Sequence, residues 1–261
     1  MLSLLRKLNQ FFIPRKLETT AHSLQREQNV GEEIFENYSS VIGNHISYFN
    51  ELTPEQKRKF VNRVHHFISG KQFHYIGLES KEEIAVLTAA SAIQVTFGLK
   101  NYMMPHFKNI YILADAYRMD SDEELYIGHV APEGIYLSWK HFLFGYADNT
   151  DNINVAVHEM SHALLFNNYF AKYGVDKSFR ANYEKFSTTT GPILADVITR
   201  RKSYLRNYAL TNIHEFWAVS VEAFFENPAD LKLNMPKLYD ALCSVLNQDP
   251  ATTNKILNPE L

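Results

Sequence analysis

The chain has 261 residues, 46% hydrophobic and 21% charged, enough to bury a substantial core in one large domain or one domain with an accessory lobe. A formal net charge of −3 argues against a general nucleic-acid surface, and no stretch reaches the roughly eighteen uninterrupted apolar residues of a membrane span. The single cysteine, Cys243, cannot close an internal disulfide, which fits a reducing compartment and a role in core packing.

Residues 1–29 are expected to form an N-terminal arm, 30–250 one domain and 251–261 a C-terminal tail. In the arm, Arg6 and Lys7 interrupt the apolar run that an export signal needs, so the chain is expected to be cytoplasmic. The arm is read as loosely docked or disordered, with contact to an anionic membrane surface as a basic amphipathic helix the alternative. From Val30 to Asn50 the positions Ile34, Tyr38, Val41, Ile42 and Phe49 recur at helical intervals. Thr53-Pro54-Glu55-Gln56 supplies a capping residue, a proline at the first helical position and a reciprocal glutamine, and opens a helix to about Ser69. His65 and His66 on it point about 100° apart and are read as structural or solvated.

Gln72 to Ile76 has the pattern of a short strand, and Ser80-Lys81-Glu82-Glu83 that of a second capping box opening a buried helix through about Phe97. Strands are predicted at Asn109–Leu113 and Leu125–Val130, separated by an acidic turn from Met119 to Glu124, and a third at Gly134–Trp139. If Gly134–Ser138 lies at a sheet edge it can hold a peptide by strand addition, whereas an internal strand offers no free edge. A polar cluster from Asp148 to Asn154 then caps the next helix.

That helix carries Val155-Ala156-Val157-His158-Glu159-Met160-Ser161-His162-Ala163-Leu164-Leu165-Phe166. Residues four apart share a helix face, so His158 and His162 can reach one Zn²⁺, and Glu159, one position along, is placed to take a proton from a water at the ion. The apolar setting sharpens this reading, because three ionisable side chains buried without partners would cost several kcal/mol. Beyond it, Tyr173-Gly174 suggests a stop and Gly191-Pro192 a break, while Arg200, Arg201, Lys202 and Arg206 are read as a solvated face. Helices follow at about Asn212–Glu226 and Pro236–Asn247, with no internal repeat.

A catalytic zinc site needs three protein ligands and an open position. The longer signature with a glycine and a third histidine fails here, since Leu165 and Asn168 occupy those places. A downstream carboxylate is required, and Glu215 and Glu222, seven apart, fall within about 20° on one helical face, so that one can ligate and the other support.

Several segments resemble one known family: Ile46-Ser47-Tyr48-Phe49-Asn50-Glu51-Leu52-Thr53-Pro54-Glu55-Gln56-Lys57, the apolar helix after Ser80, Tyr208-Ala209 and Glu215-Phe216-Trp217-Ala218. Over most of Phe35 to Asp249 the chain resembles the zinc peptidases typified by MtfA (Mlc titration factor A), which are akin to the catalytic domain of anthrax lethal factor. The resemblance implies an α+β, zincin-like fold with a small mixed sheet, a His-Glu-x-x-His active-site helix and a helical C-terminal half. It implies that one Zn²⁺ is bound by His158, His162 and Glu215, that Glu159 is the general base, that Tyr208 steadies the oxyanion, and that the substrate is a peptide or protein. Glu222 is then left in support of a ligand. The rival reading is a non-catalytic protein that sequesters a transcriptional regulator, with zinc structural or absent. The family's Lys-Leu-Asp after the second histidine is replaced by Ala163-Leu164-Leu165. His129 could match a further histidine that some members place near the ion, although a non-ligand role is the reading adopted.

Overall fold

The computed structural model describes residues 29–119, 124–148, 151–170, 175–200, 204–252 and 255–258. The expectations for the arm through residue 28, the acidic turn at 120–123, the Tyr173-Gly174 stop, Arg201 and Lys202, the side chain of Arg200, and tail positions 253–254 and 259–261 lie outside what is described.

Helices α1 (Glu32–Gly43), α2 (Ser47–Asn50) and α3 (Pro54–Ser69) lead into strand β1 (Gln72–Ile76). The α3 cap forms as its sequence predicts: Thr53 accepts from the Gln56 amide and Gln56 reaches back to the Thr53 amide. His66 Nδ1 shares a 2.7 Å hydrogen bond with the Tyr102 hydroxyl and His65 lies against the Tyr38 ring, both structural roles. Helix α4 (Glu82–Thr96) is buried along its length from Ile84. Its predicted capping box is not made: the N-cap is Lys81, one residue past Ser80, and its side chain makes no cap hydrogen bond. Starting one residue later moves Ser80 out of reach of the amides it would have satisfied.

Strands β2 (Asn109–Leu113), β3 (Tyr117–Arg118), β4 (Leu125–Tyr126), β5 (Gly128–Ala131) and β6 (Gly134–Ser138) follow. The predicted Leu125–Val130 strand is two strands in two sheets, β4 pairing β3 and β5 pairing β6. The main sheet has the order β1-β2-β6-β5, parallel except for the antiparallel β5. Gly134–Ser138 is therefore internal, with β2 on one side and β5 on the other, and the edge strands are β1 and β5.

One face of the sheet buries Ile110, Ile112, Ile135 and Leu137. On the other face one ring from each strand joins a continuous stack: His74 on Tyr111 at 4.6 Å, Tyr111 on Tyr136 at 4.4 Å and Tyr136 on His129 at 4.2 Å. These residues are paired in register, so the stack runs across the strands and opposes slippage.

Helix α5 (Trp139–Ala147) was not expected from the sequence; it continues from β6 with Ser138 as its cap. Helix α6 (Val155–Phe170) packs beneath β5 and β6 and against α4. Helix α7 (Lys177–Arg200) runs through Gly191-Pro192 without the predicted break. An interior proline costs about 3 kcal/mol. Here Phe179, Tyr183 and Phe186, a turn apart on one face, surround Trp217 edge-on at 6.1, 5.3 and 5.3 Å, and just past the proline Ile193 and Leu194 also pack against the core, which offsets that cost. A 3₁₀ turn at Asn207–Leu210 precedes α8 (Ile213–Glu226), α9 (Pro228–Asn234) and α10 (Pro236–Leu246), of which α9 was not anticipated. Trp217 on α8 donates from Nε1 to the Ser161 carbonyl of α6 at 3.0 Å, which ties the two central helices. The architecture is α+β and rich in helix, with a small mixed sheet, and Cys243 is buried. Among the described residues no helix is long and apolar enough to cross a membrane.

Candidate metal centre

Helix α6 is anchored at its start by Asn154, the last residue of the polar cluster. Its side chain accepts from the Val157 amide at 3.1 Å and donates to the Gly145 carbonyl at 3.2 Å, while its own amide donates to Glu222 Oε2 at 2.7 Å. One turn later His158 and His162 share a face, with their Nε2 atoms 3.1 Å apart. Glu215 comes from the first turn of α8, where Asn212 accepts from the His214 and Glu215 amides at 2.8 and 3.1 Å. That cap aims the Glu215 carboxylate at α6: Oε2 is 3.1 Å from His158 Nε2 and 3.4 Å from His162 Nε2. Among the described residues these three form the one group of donors able to share an ion.

The donor chemistry fits a dication. His158 Nδ1 gives its proton to Glu222 Oε1 at 2.6 Å, which leaves Nε2, facing Glu215 and His162, as the nitrogen that can exchange its proton for an ion. Two imidazole nitrogens and a carboxylate oxygen then face one another at 3.1–3.4 Å, a spacing that only protons or a cation can support. Donors about 2.0–2.1 Å from a tetrahedral ion are themselves about 3.3–3.4 Å apart, which matches the cluster.

The charges are strongly coupled. Burial works against charge on His158, yet the hydrogen bonds to Glu215 and Glu222 outweigh it and raise the imidazole to about 10. Burial lowers His162. Burial alone would raise Glu215, but bonds with both histidines hold it well below the usual carboxylate range. Glu159 is 6% exposed and lies against the Gly128 backbone of β5, where a Cβ would meet its Cγ at 2.6 Å. Burial, reinforced by Glu215 and Glu222, pushes its carboxyl up to about 8.

Glu222, 1% exposed, stands behind His158 and is also paired with Arg206. Arg206 was read as part of a solvated basic stretch. Instead its guanidinium serves a buried carboxylate, because a charge this deep needs an opposite charge beside it. Tyr208, on the 3₁₀ turn, is half-exposed with its ring 5.9 Å from that of His158. Burial and the negative charges of Glu215 and Glu159 raise its hydroxyl to about 12. His129 stays outside the donor group: Nδ1 shares a 2.6 Å bond with the Tyr117 hydroxyl and the ring stacks on Tyr136. Nothing in the sequence separated Arg206 from its basic neighbours, whereas a glycine within a strand, as at Gly128, is a weak signal of close backbone approach.

A family model described as glucose-regulated metallo-peptidase M90 matches residues 21–246. An uncharacterized protein of Synechocystis sp. is 24% identical over 226 residues, covering 78% of this chain and 81% of its own length.

Proposed function

Since this chain belongs to the glucose-regulated metallopeptidase M90 family, we propose that it is a zinc-dependent peptidase of zincin-like fold that hydrolyses peptide bonds in a peptide or protein substrate. His158, His162 and Glu215 hold the ion in this reading. The observation that carries it is the convergence of their three donor atoms at 3.1–3.4 Å, with a buried carboxyl, Glu159, next to the first of them. Bound zinc supplies a Lewis acid that polarises the scissile carbonyl and makes water more acidic.

Glu159 takes a proton from the attacking water and returns it to the leaving amine. Its raised pKa suits the second half of that task, and beside a dication the same carboxyl ionises at lower pH, which links base strength to occupancy. The Tyr208 hydroxyl, kept protonated by its acidic surroundings, donates to the oxygen on which negative charge develops. Glu222 fixes the tautomer and orientation of His158. Strand β5, antiparallel to β6 at the sheet edge and abutting Glu159 through Gly128, offers the edge along which an extended peptide adds as a further strand. A protein that merely sequesters a transcriptional regulator would have no use for a carboxyl buried beside such a cluster, which favours hydrolysis.

The test is metal analysis of the purified protein followed by cleavage of a peptide library with and without chelator. Glu159→Gln should keep the metal and lose about 10²–10⁴-fold in turnover. Undiminished hydrolysis by that variant, or failure of the parent to bind zinc, refutes the proposal.

A further inference from the structure

We propose that Arg206 is a positioning residue for the metal centre, acting on His158 through Glu222; this rests on the reading of His158, His162 and Glu215 as ligands. Arg206 does not approach those three side chains among the contacts described; its charged partner is Glu222.

Among the described residues three donors meet the Glu222 carboxylate. Oε1 takes both His158 Nδ1 and the Arg206 guanidinium, and Oε2 takes the Asn154 amide at 2.7 Å. With one oxygen pinned to the backbone just before α6 and the other shared, the plane of the carboxylate is set. The His158 ring hangs from it by the 2.6 Å bond to Nδ1. That bond decides which nitrogen carries the proton and which faces Glu215. Arg206 contributes the one permanently charged side chain among these three donors, so it both balances the buried charge and holds Oε1 where the imidazole needs it.

The same residue reaches a second part of the site. Arg206 is the N-cap of the 3₁₀ turn that carries Tyr208, and its guanidinium carbon sits 5.4 Å from the centre of the Tyr208 ring. Among the described residues its buried Nε has no hydrogen-bond partner, and the fork is oriented by Glu222 through Nη2. A basic residue two positions before Tyr208 thereby links the oxyanion side of the cleft to the support behind His158.

The experiment is zinc affinity, measured by competition with a chromogenic chelator at fixed pH, for the parent, Arg206→Met, Glu222→Gln and the double variant. Arg206→Met and Glu222→Gln should each weaken zinc about 10–100-fold, the range in which outer partners of a ligand act. The double variant should be no weaker than the weaker single one, because both act along one path. Arg206→Gln keeps a donor for Oε1 without the charge and, should Arg206→Met fail to fold, serves in its place with an expected loss of at least about fivefold. Affinity within twofold of the parent in the Arg206 variants, or losses that multiply in the double variant, overturns the inference while leaving the ligand set intact. A parent that binds no zinc overturns the ligand reading itself and this inference with it.

Discussion

A methyl group at position 128 would occupy space that Glu159 already fills. An alanine Cβ there would lie 2.6 Å from Glu159 Cγ, 2.7 Å from its Oε1 and 2.9 Å from Val155 Cγ2. Carbon atoms settle at about 3.5–4.0 Å, so either the carboxylate or the edge strand must give way by about 1 Å. Displacing a reacting group by about that much costs about 10²-fold in rate. Overpacking adds about 1–3 kcal/mol of destabilisation, a fall in Tm of about 2–4 °C for each kcal/mol in a domain of this size. None of the three proposed ligands is among the atoms the methyl would strike, so zinc content should not change. The assay is kcat/KM of zinc-loaded Gly128→Ala on the best library peptide, with metal content and Tm measured on the same sample. A drop of about 10²-fold at full zinc occupancy is expected. A variant with near-parental kcat/KM and unchanged Tm would refute the contact between this strand and the base.

Tyr208→Phe should lower kcat about 10²-fold with little change in KM or zinc content, as loss of one oxyanion donor does; parental kcat would remove Tyr208 from the chemistry. For Glu226, burial together with Glu222 and Asp151 raises the carboxyl from 4.5 to about 8. The folded state then keeps a proton that the unfolded chain has released between those values, so the stability this group contributes is full below the lower one and is lost as pH rises through the higher. Glu226→Gln should therefore raise Tm in mildly alkaline buffer and leave it unchanged at about pH 4; equal shifts at both would contradict the assignment. Lys71 Nζ donates to the carbonyls of Met103, Met104 and Phe107 at 2.5, 2.8 and 2.7 Å, holding a loop in which Met104 has φ of 43°. Lys71→Met leaves those carbonyls without their shared donor and should cost about 2–4 kcal/mol in a thermal melt, whereas a change of under about 2 °C would mean that water replaces the amino group at no cost.

What the sequence disclosed follows the range of the interactions involved. The four-residue spacing of His158 and His162 and the seven-residue spacing of Glu215 and Glu222 are properties of a single helix each, and both pairs project as that geometry requires. The Thr53 cap is equally local and forms as its residues dictate. Ser80 shows the limit of such signals: a one-residue difference in where α4 starts leaves its hydroxyl outside the cap. Gly191-Pro192 misleads for the opposite reason, since packing on Trp217 comes from a helix that begins more than twenty residues later and overrides a local preference. Strand order was equally hidden, because the residues of Gly134–Ser138 suit an internal strand and an edge strand alike. Arg206 looked like its basic neighbours until the fold brought Glu222 to it across a turn and a helix.

The Trp217 indole has an optical consequence. The chain has two tryptophans, and this one is fully enclosed, two residues past Glu215 and bonded to the backbone carbonyl that immediately precedes His162. Its emission is therefore a built-in gauge of how closely the two helices of the cluster are held together, readable by titrating metal into native protein without attaching a label.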